Sequence, residues 1–290
     1  IKSITNIQKI TKSMKMVSST KFTRAEQNLK NLSAMENICK NLINGISNHS
    51  KSENQTKNPS SSYDAVILMT SDKGLCGQIH SAVLKHFKKM TEDDNGFGKL
   101  PLITVGDRIK SLTKKYFIIK NLIHGPIYNE NNRLENEVVL HFNGLGGNIP
   151  TLADASYIIE RMSNYSKSSG LTLAKILLIY NRHKSLISFE TVNCEMIGPD
   201  ADAGKISDHF EIENMDGFKD YLQFLSSFQM YSALGVANCA ELSSRINCME
   251  NSTKNAGELL DKMKIVYNRT RQAQITNELN EIIAGATSTE

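Results

Sequence analysis

The stretch ELSSRINCMENSTKNAGELLDKMKIVY, residues 241–267, decides the fold. Leu242, Ile246, Met249, Thr253, Ala256, Leu260, Met263 and Tyr267 recur there at alternating steps of four and three. That spacing is the heptad seam of a coiled-coil helix, with small or polar residues at some core positions. Glu241, Arg245, Glu250, Lys254, Glu258, Asp261 and Lys262 lie between and read as the polar outer face. No proline interrupts Gly217 to Ala286; the last of the five prolines is Pro199. At about 1.5 Å rise per residue such a helix is roughly 100 Å long. A compact globule of 290 residues cannot enclose it. The helix must project, and its seam needs a partner.

The partner is at the other end of the chain. Ile1 to about Ser47 holds no proline and one glycine, Gly45. Ile4, Ile7, Ile10, Met14, Val17, Phe22, Ala25, Leu29, Leu32, Met35, Cys39, Leu42 and Ile46 again follow a heptad spacing. A left-handed supercoil of two antiparallel helices is expected. The plainer alternative, two amphipathic helices lying on one core, fits less well, because both runs far exceed the usual helix of about 11–12 residues.

Composition narrows the class. With 40% apolar and 22% charged residues the chain buries a core, and a net charge of +4 does not suit a general nucleic-acid binder. The charge is uneven. Residues 1–24 carry Lys2, Lys9, Lys12, Lys15, Lys21 and Arg24 with no acid. This basic run is either a solvated helix face or a collar for acidic loops of another protein. Five cysteines, an odd number without CxxC spacing, favour a reducing compartment over a disulfide framework or a zinc site. No apolar run reaches the ~18 residues of a membrane span. No signal peptide is visible.

The chain divides into an N-terminal helix (1–47), a polar linker (48–62), an α/β domain (63–205) and a C-terminal helix (206–290). The fold class is α/β: a long antiparallel coiled coil plus a small Rossmann-like domain. Ala65-Val-Ile-Leu-Met-Thr reads as a strand covered on both faces. Ser71, Asp72, Lys73, Gly74, Leu75, Cys76 and Gly77 form a tight turn, with Gln78 to Met90 a helix. Leu100 to Val105 is a second strand, followed by a helix to about Tyr116 and a third strand near Phe117 to Lys120. Glu137 to Phe142 is a further strand candidate, and Pro150 to Ser163 a helix capped by Thr151. Ala174 to Tyr180 and Ser185 to Val192 make a hairpin around Asn181-Arg-His-Lys, with loop from Cys194 to Asp208 and a short extended piece at His209.

A domain of this type invites a catalytic reading. No GxxxxGKS/T phosphate loop exists, the turn with Gly74 and Gly77 is not GxGxxG, and Gly144-Leu-Gly-Gly does not follow a clear buried strand. Cys76 lies at a strand-to-helix turn with His80 and His86 on the next helix, but packing roles suit these spacings better than nucleophile and base. No histidine or carboxylate cluster has metal-ligand spacing. Asp72 reads as a turn residue binding local backbone N–H groups. Catalytic, cofactor and metal residues are therefore expected to be none, and the domain is a docking platform.

Four segments resemble the γ-subunit family of rotary ATP synthases. Ile10-Thr-Lys-Ser-Met-Lys-Met-Val-Ser-Ser-Thr-Lys is similar to the family's ITxxMxMVxxxK segment. Ser71-Asp-Lys-Gly-Leu-Cys-Gly matches its SD(R/K)GLCG turn. Met249-Glu-Asn-Ser-Thr-Lys-Asn-Ala resembles MDNASKNA, with Glu250, Ser252 and Thr253 as departures. Tyr267-Asn-Arg-Thr-Arg-Gln-Ala-Gln-Ile-Thr-Asn-Glu-Leu-Asn-Glu-Ile-Ile-Ala-Gly-Ala resembles its C-terminal signature. The resemblance implies a central rotor stalk. The coiled coil enters a ring of α and β subunits, and the domain is a foot on the c-ring beside the δ and ε subunits. Catalysis lies in β, and the membrane is met only through the c-ring. It places Arg271 and Gln272 at a β catch loop, with Met14, Lys12 and Lys15 facing the ring. Ile275, Leu279, Ile282 and Ile283 then form an apolar tip that another protein must sheathe. A pI near 8.7 and the motif spellings suit the matrix side of the mitochondrial inner membrane, with the bacterial cytoplasmic membrane face as the alternative. Two other readings stay open: a freestanding α/β enzyme using Cys76 or a nucleotide, and a coiled-coil adaptor whose basic arm meets an anionic surface.

Overall fold

The structure, a computed structural model, describes residues 1–50, 63–124, 138–144, 149–185, 188–201 and 214–287. Most of the linker, residues 145–148 of the glycine-rich loop and the extended piece at 209–213 lie outside the described residues. So do the side chains of the seam positions Met35, Cys39, Leu42 and Ile46.

Helix α1 spans Lys2–Ser50 and the last helix, α5, spans Met215–Thr287. They run antiparallel. Gln8 lies beside Gly257, Thr11 bonds Thr253, Lys15 pairs with Glu250, and Asn28 bonds Tyr231. Each step up one helix is a step down the other, as a coiled coil joined through a distant domain requires.

The seam on α5 holds at Leu242, Ile246, Met249, Thr253, Ala256 and Leu260, all buried or half-buried. It stops there. Met263 and Tyr267 are exposed, because no described part of α1 extends beside them. On α1 the seam departs further from the reading above. The inward positions are Gln8, Thr11, Lys15, Ser18, Phe22, Ala25 and Leu29, at alternating steps of three and four. Ile7, Ile10 and Val17 are each more than half exposed, at 52%, 58% and 55%. They form a second stripe of heptad spacing, turned away from α5. Periodicity shows that a helix has an apolar stripe, not which chain covers it. From Gln8 to Ser18 the inner line is polar instead, and Thr11, Ser18 and Ala25 are small enough to let the helices approach closely. A Cβ added to Gly257 would stand 3.2 Å from Gln8 Nε2. Glu241 and Arg245 are likewise not on an outer face; both are buried.

The domain between the helices is a five-stranded sheet. Its elements are β1 (Ala65–Met69), α2 (Ile79–Asp93), β2 (Leu102–Val105), α3 (Asp107–His124), β3 (Val138–Phe142), α4 (Leu152–Ser169), β4 (Lys175–His183) and β5 (Phe189–Ile197). A short 3-10 turn over Asn95–Lys99 joins α2 to β2. The order is β3-β2-β1-β4-β5, with β5 antiparallel to β4 and the other pairs parallel. Every residue of β1 is buried, as its unbroken apolar run requires. Val66 and Leu68 pack against Val83, Phe87, Ile109 and Phe117 of α2 and α3. Ala65, Ile67 and Met69 face Ile158, Ile159 and Met162 of α4, together with Met230, Ala233 and Leu234 of α5. The base of the projecting helix is thus part of the domain's own core.

Two strand expectations change. Phe117 to Lys120 is helical, because Ile109, Thr113 and Phe117 recur every four residues on the buried face of α3. The β4–β5 hairpin is longer than its apolar pattern. Asn181 lies in β4, and its amide donates to Ile79 O at 2.7 Å while its carbonyl accepts from Thr191 Oγ1 at 2.7 Å. A strand tolerates a buried polar residue that is satisfied in this way. Cys194 belongs to β5, not to a loop. Thr151 caps α4 in a capping box with Asp154, as expected of the cap.

Candidate functional site

Two places carry the residues singled out above. The first is the tip of α5. From Asp261 to Gly285 every residue is exposed. Arg271, Gln272, Ile275, Leu279, Ile282 and Ile283 all lie on this exposed stretch, and Ile282 is 72% exposed. At 1.5 Å per residue the bare segment is roughly 35–40 Å long. A single amphipathic helix of that length does not keep such side chains in water without a partner surface.

Alongside, on α1, Lys12 is exposed, while Met14 and Lys15 are half-buried. Lys15 Nζ sits 3.2 Å from Glu250 Oε1, so it is engaged within the chain. A shallow groove between the helices is lined by Gln8, Lys9, Lys12, Lys15, Glu250 and Lys254. Four cations there face one carboxylate, so the groove presents a net positive field.

The second place is the Ser71–Gly77 turn, which leaves β1 and folds onto α5. Leu75 takes φ +62 and Gly77 φ +67. Leu75 is a non-glycine residue in the left-handed region with its side chain 62% exposed, a local cost that surrounding bonds must hold in place. Asp72 does more than bind local amides. Its Oδ1 accepts from Asp107 N at 3.0 Å and its Oδ2 from Gly144 N at 3.0 Å. One carboxylate ties the ends of β1, β2 and β3 together.

On the shaft side, Ser244 Oγ donates to Cys76 O and Arg245 Nη2 to Gly74 O. Arg245 is paired with Glu241, and both side chains are under one-tenth exposed. Burial pushes the Glu241 carboxyl up, opposed by the Arg245 charge and by hydrogen bonds from Arg245 and Ser71. Cys76 and Ile79 pack on Ala240 beneath the turn.

Cys76 Sγ and His80 Nε2 are 2.8 Å apart, the geometry a nucleophile and base would need. Their surroundings work against that chemistry. Burial, then the Glu241 charge, pushes the Cys76 thiol up to about 11, and burial pulls His80 down. The sulfur is a neutral, 1% exposed packing group. His80 Nε2 also faces Lys73 O at 3.1 Å, which fastens the turn. His86 is not part of this pair; it bonds Asn193 Oδ1 at 2.9 Å. Among the described residues no group of three His, Cys, Asp or Glu side chains is placed to hold a metal, and no helix is long and apolar enough to cross a membrane.

Glu241, Ser244 and Arg245 escaped the reading of the sequence as a site. Their one signal was the Glu-to-Arg spacing of four residues, which is shared with many exposed helix pairs.

A family model described as ATP synthase matches residues 1–288. The mitochondrial ATP synthase subunit gamma of Saccharomyces cerevisiae is 33% identical over 294 residues, covering 99% of this chain and 86% of the yeast protein. Its namesake in Drosophila melanogaster is 32% identical, with 99% and 87% covered. Among solved structures, a chain of the Euglena gracilis mitochondrial ATP synthase rotor aligns with TM-score 0.69 at 15% identity, over 94% of this chain and 95% of that one. A chain of the Tetrahymena thermophila mitochondrial central stalk and c-ring aligns with TM-score 0.60 at 22% identity, over 84% and 99%. These two share its fold.

Proposed function

The chain belongs to the γ-subunit family of ATP synthases, and on that premise we propose that its coiled coil is the shaft and its sheet domain the foot of a rotary ATP synthase. It performs no catalytic step itself. It couples rotation of the membrane c-ring to conformational change in the catalytic β subunits. It works on the matrix side of the mitochondrial inner membrane; its relatives in yeast and Drosophila are named as mitochondrial. The α and β subunits form the sleeve around the tip; the δ and ε subunits and the c-ring meet the foot.

The observation that carries this reading is the exposed helix from Asp261 to Ile282. A ring of subunits closing on it supplies the missing cover. The sleeve also accounts for the outward stripe of Ile7, Ile10 and Val17, which needs the same cover on the facing helix. An asymmetric rod drives such a ring by population shift. Each orientation makes different contacts with each β subunit and favours one of its nucleotide states. Arg271 and Gln272 are the proposed grips on a β catch loop, since exposed polar groups on a rigid helix give orientation-dependent contacts without binding permanently. Lys12, and the basic groove beside it, is the proposed contact for acidic loops of the ring.

The test is ATP synthesis by the assembled complex carrying Arg271→Ala with Gln272→Ala. Synthesis falls by about fivefold or more, in the range of a lost coupling contact, while the amount of assembled complex is unchanged. Synthesis at the wild-type rate would remove these two residues from the grip. Recovery of the native chain as a lone soluble monomer would remove the rotor assignment itself.

A further inference from the structure

The shaft and the foot meet by two means of different character. Below Ala240, beside the hydrogen bond from Ile197 N of β5 to Gln229 Oε1 at 3.1 Å, α5 is held by apolar contacts of Met230, Ala233, Leu234 and Val236 with the sheet and α4. Such contacts are non-directional and offer little resistance to sliding around the helix axis. From Glu241 to Arg245 the contacts are directional instead. Ser244 donates to Cys76 O, Arg245 donates to Gly74 O, and Arg245 is held in place by Glu241. These bonds run sideways from the helix to backbone carbonyls of the turn. The turn continues into Asp72, whose two oxygens hold the amides of Asp107 and Gly144 at 3.0 Å each. An unbroken polar path therefore leads from the ends of three strands to the flank of the shaft.

We propose that Glu241, Ser244 and Arg245 form a brace that clamps the Ser71–Gly77 turn to the shaft, and that they are positioning residues for torque transfer from foot to coiled coil. The proposal rests on the rotor reading above and specifies where the foot grips the rod.

Stability alone does not account for the arrangement. A buried ion pair is commonly no more stabilising than apolar residues of the same volume. What the pair adds is fixed direction. The guanidinium is planar and oriented by the carboxylate, so its bond to Gly74 O resists rotation of the turn about α5 in a way that a methionine does not. The strained Leu75 and the buried Cys76–His80 contact lie within the same clamp, and both keep the turn in one shape. Without the brace, torque entering at the foot reaches the coiled coil through the α5 base with its apolar packing, the Gln229 bond and the contacts of α1 with the sheet, such as Phe22 on His183.

The test uses the assembled complex in inverted inner-membrane vesicles. ATP hydrolysis and ATP-driven proton pumping against a standing gradient are measured together, per assembled complex. The variants are Ser244→Ala and the double variant Glu241→Met with Arg245→Met. The double variant replaces the pair by apolar side chains of similar length, so it assembles and keeps its thermal midpoint. We expect its pumping per ATP hydrolysed to fall by about fivefold, with hydrolysis within about twofold of wild type. Ser244→Ala, which deletes one bond and leaves no buried charge, lowers the ratio by about twofold. A residue needed only for folding would lower both activities together and leave the ratio unchanged. A wild-type ratio in both variants overturns the brace, and if the double variant does not assemble, a wild-type ratio in Ser244→Ala overturns it. The rotor reading fails separately, if wild-type vesicles that contain this chain show no coupled pumping at all.

Discussion

Thr11 Oγ1 and Thr253 Oγ1 meet 2.8 Å apart across the coiled coil, where an apolar pair would be the ordinary seam. Each hydroxyl also has a carbonyl of its own helix in reach, Gln8 O at 3.0 Å and Met249 O at 2.7 Å. Two hydrogens serve three acceptors, so the pair is satisfied in either direction and neither threonine depends on the other. Replacing one by valine therefore costs under about 1 kcal/mol, and replacing both stabilises the rod by about 1 kcal/mol through added apolar burial. Thermal unfolding of the purified chain, followed by helical circular dichroism, measures both. A double valine variant that melts below wild type contradicts this account of the seam.

The two stripes of α1 separate by the same measurement. Phe22 is buried against Cys239 and Leu242, and Phe22→Ala costs about 3–4 kcal/mol in the isolated chain. Ile10→Ala and Val17→Ala remove exposed side chains and shift it by under about 0.5 kcal/mol. Their effect appears in assembly instead. On the proposed sleeve, both weaken recovery with the α and β subunits, because the exposed stripe is the part of α1 left for it to cover. Destabilisation by Val17→Ala equal to that of Phe22→Ala would mean that the stripe is covered within the chain.

That contrast also marks what a sequence can convey. The long helices, their antiparallel pairing, the buried first strand and the cap at Thr151 were legible, since each has a local pattern with one physical solution. The seam of α1 was only half legible: Ile7, Ile10 and Val17 keep heptad spacing as faithfully as Phe22 and Ala25 do, and spacing does not tell an internal partner from an external one. Glu241 and Arg245 look like solvated charges, because the turn that buries them is about 170 residues away in the chain. The partners of Asp72 are hidden for the same reason, at separations of 35 and 72 residues.

Asp72 gives the third prediction. Removing its carboxylate leaves the amides of Asp107 and Gly144 to find water, at a cost of about 1–3 kcal/mol. Asp72→Ala lowers the thermal midpoint more than Asp72→Asn, which keeps one acceptor oxygen. The local readout is amide hydrogen exchange: the Asp107 and Gly144 amides exchange faster in Asp72→Ala, and those in the middle of β1 do not. Unchanged exchange at both amides would mean that the carboxylate does not hold the strand ends.

The two buried thiols make stability fall as the solution turns alkaline. Burial, then a neighbouring carboxylate, pushes Cys76 up from 9.0 to about 11 and Cys239 to about 12. Below pH 9 both the folded and unfolded chains keep these protons, and the thiols contribute no pH dependence. Above pH 9 the unfolded chain releases them while the folded chain still holds them, so stability falls as pH rises, up to about 11 for Cys76. A shift of that size corresponds to roughly 2–3 kcal/mol. His80 acts at the other end. Its value is lowered by burial from 6.5, so below that pH the unfolded chain takes up a proton first and stability falls as pH falls. Cys76→Ala therefore flattens the decline of the thermal midpoint between pH 9 and 11, and alkylation of the native chain at pH 8 spares Cys76 and Cys239. Selective labelling of Cys76 under those conditions would mean that its sulfur is an accessible thiolate, and would return weight to a nucleophilic role for the turn that its 1% exposure opposes.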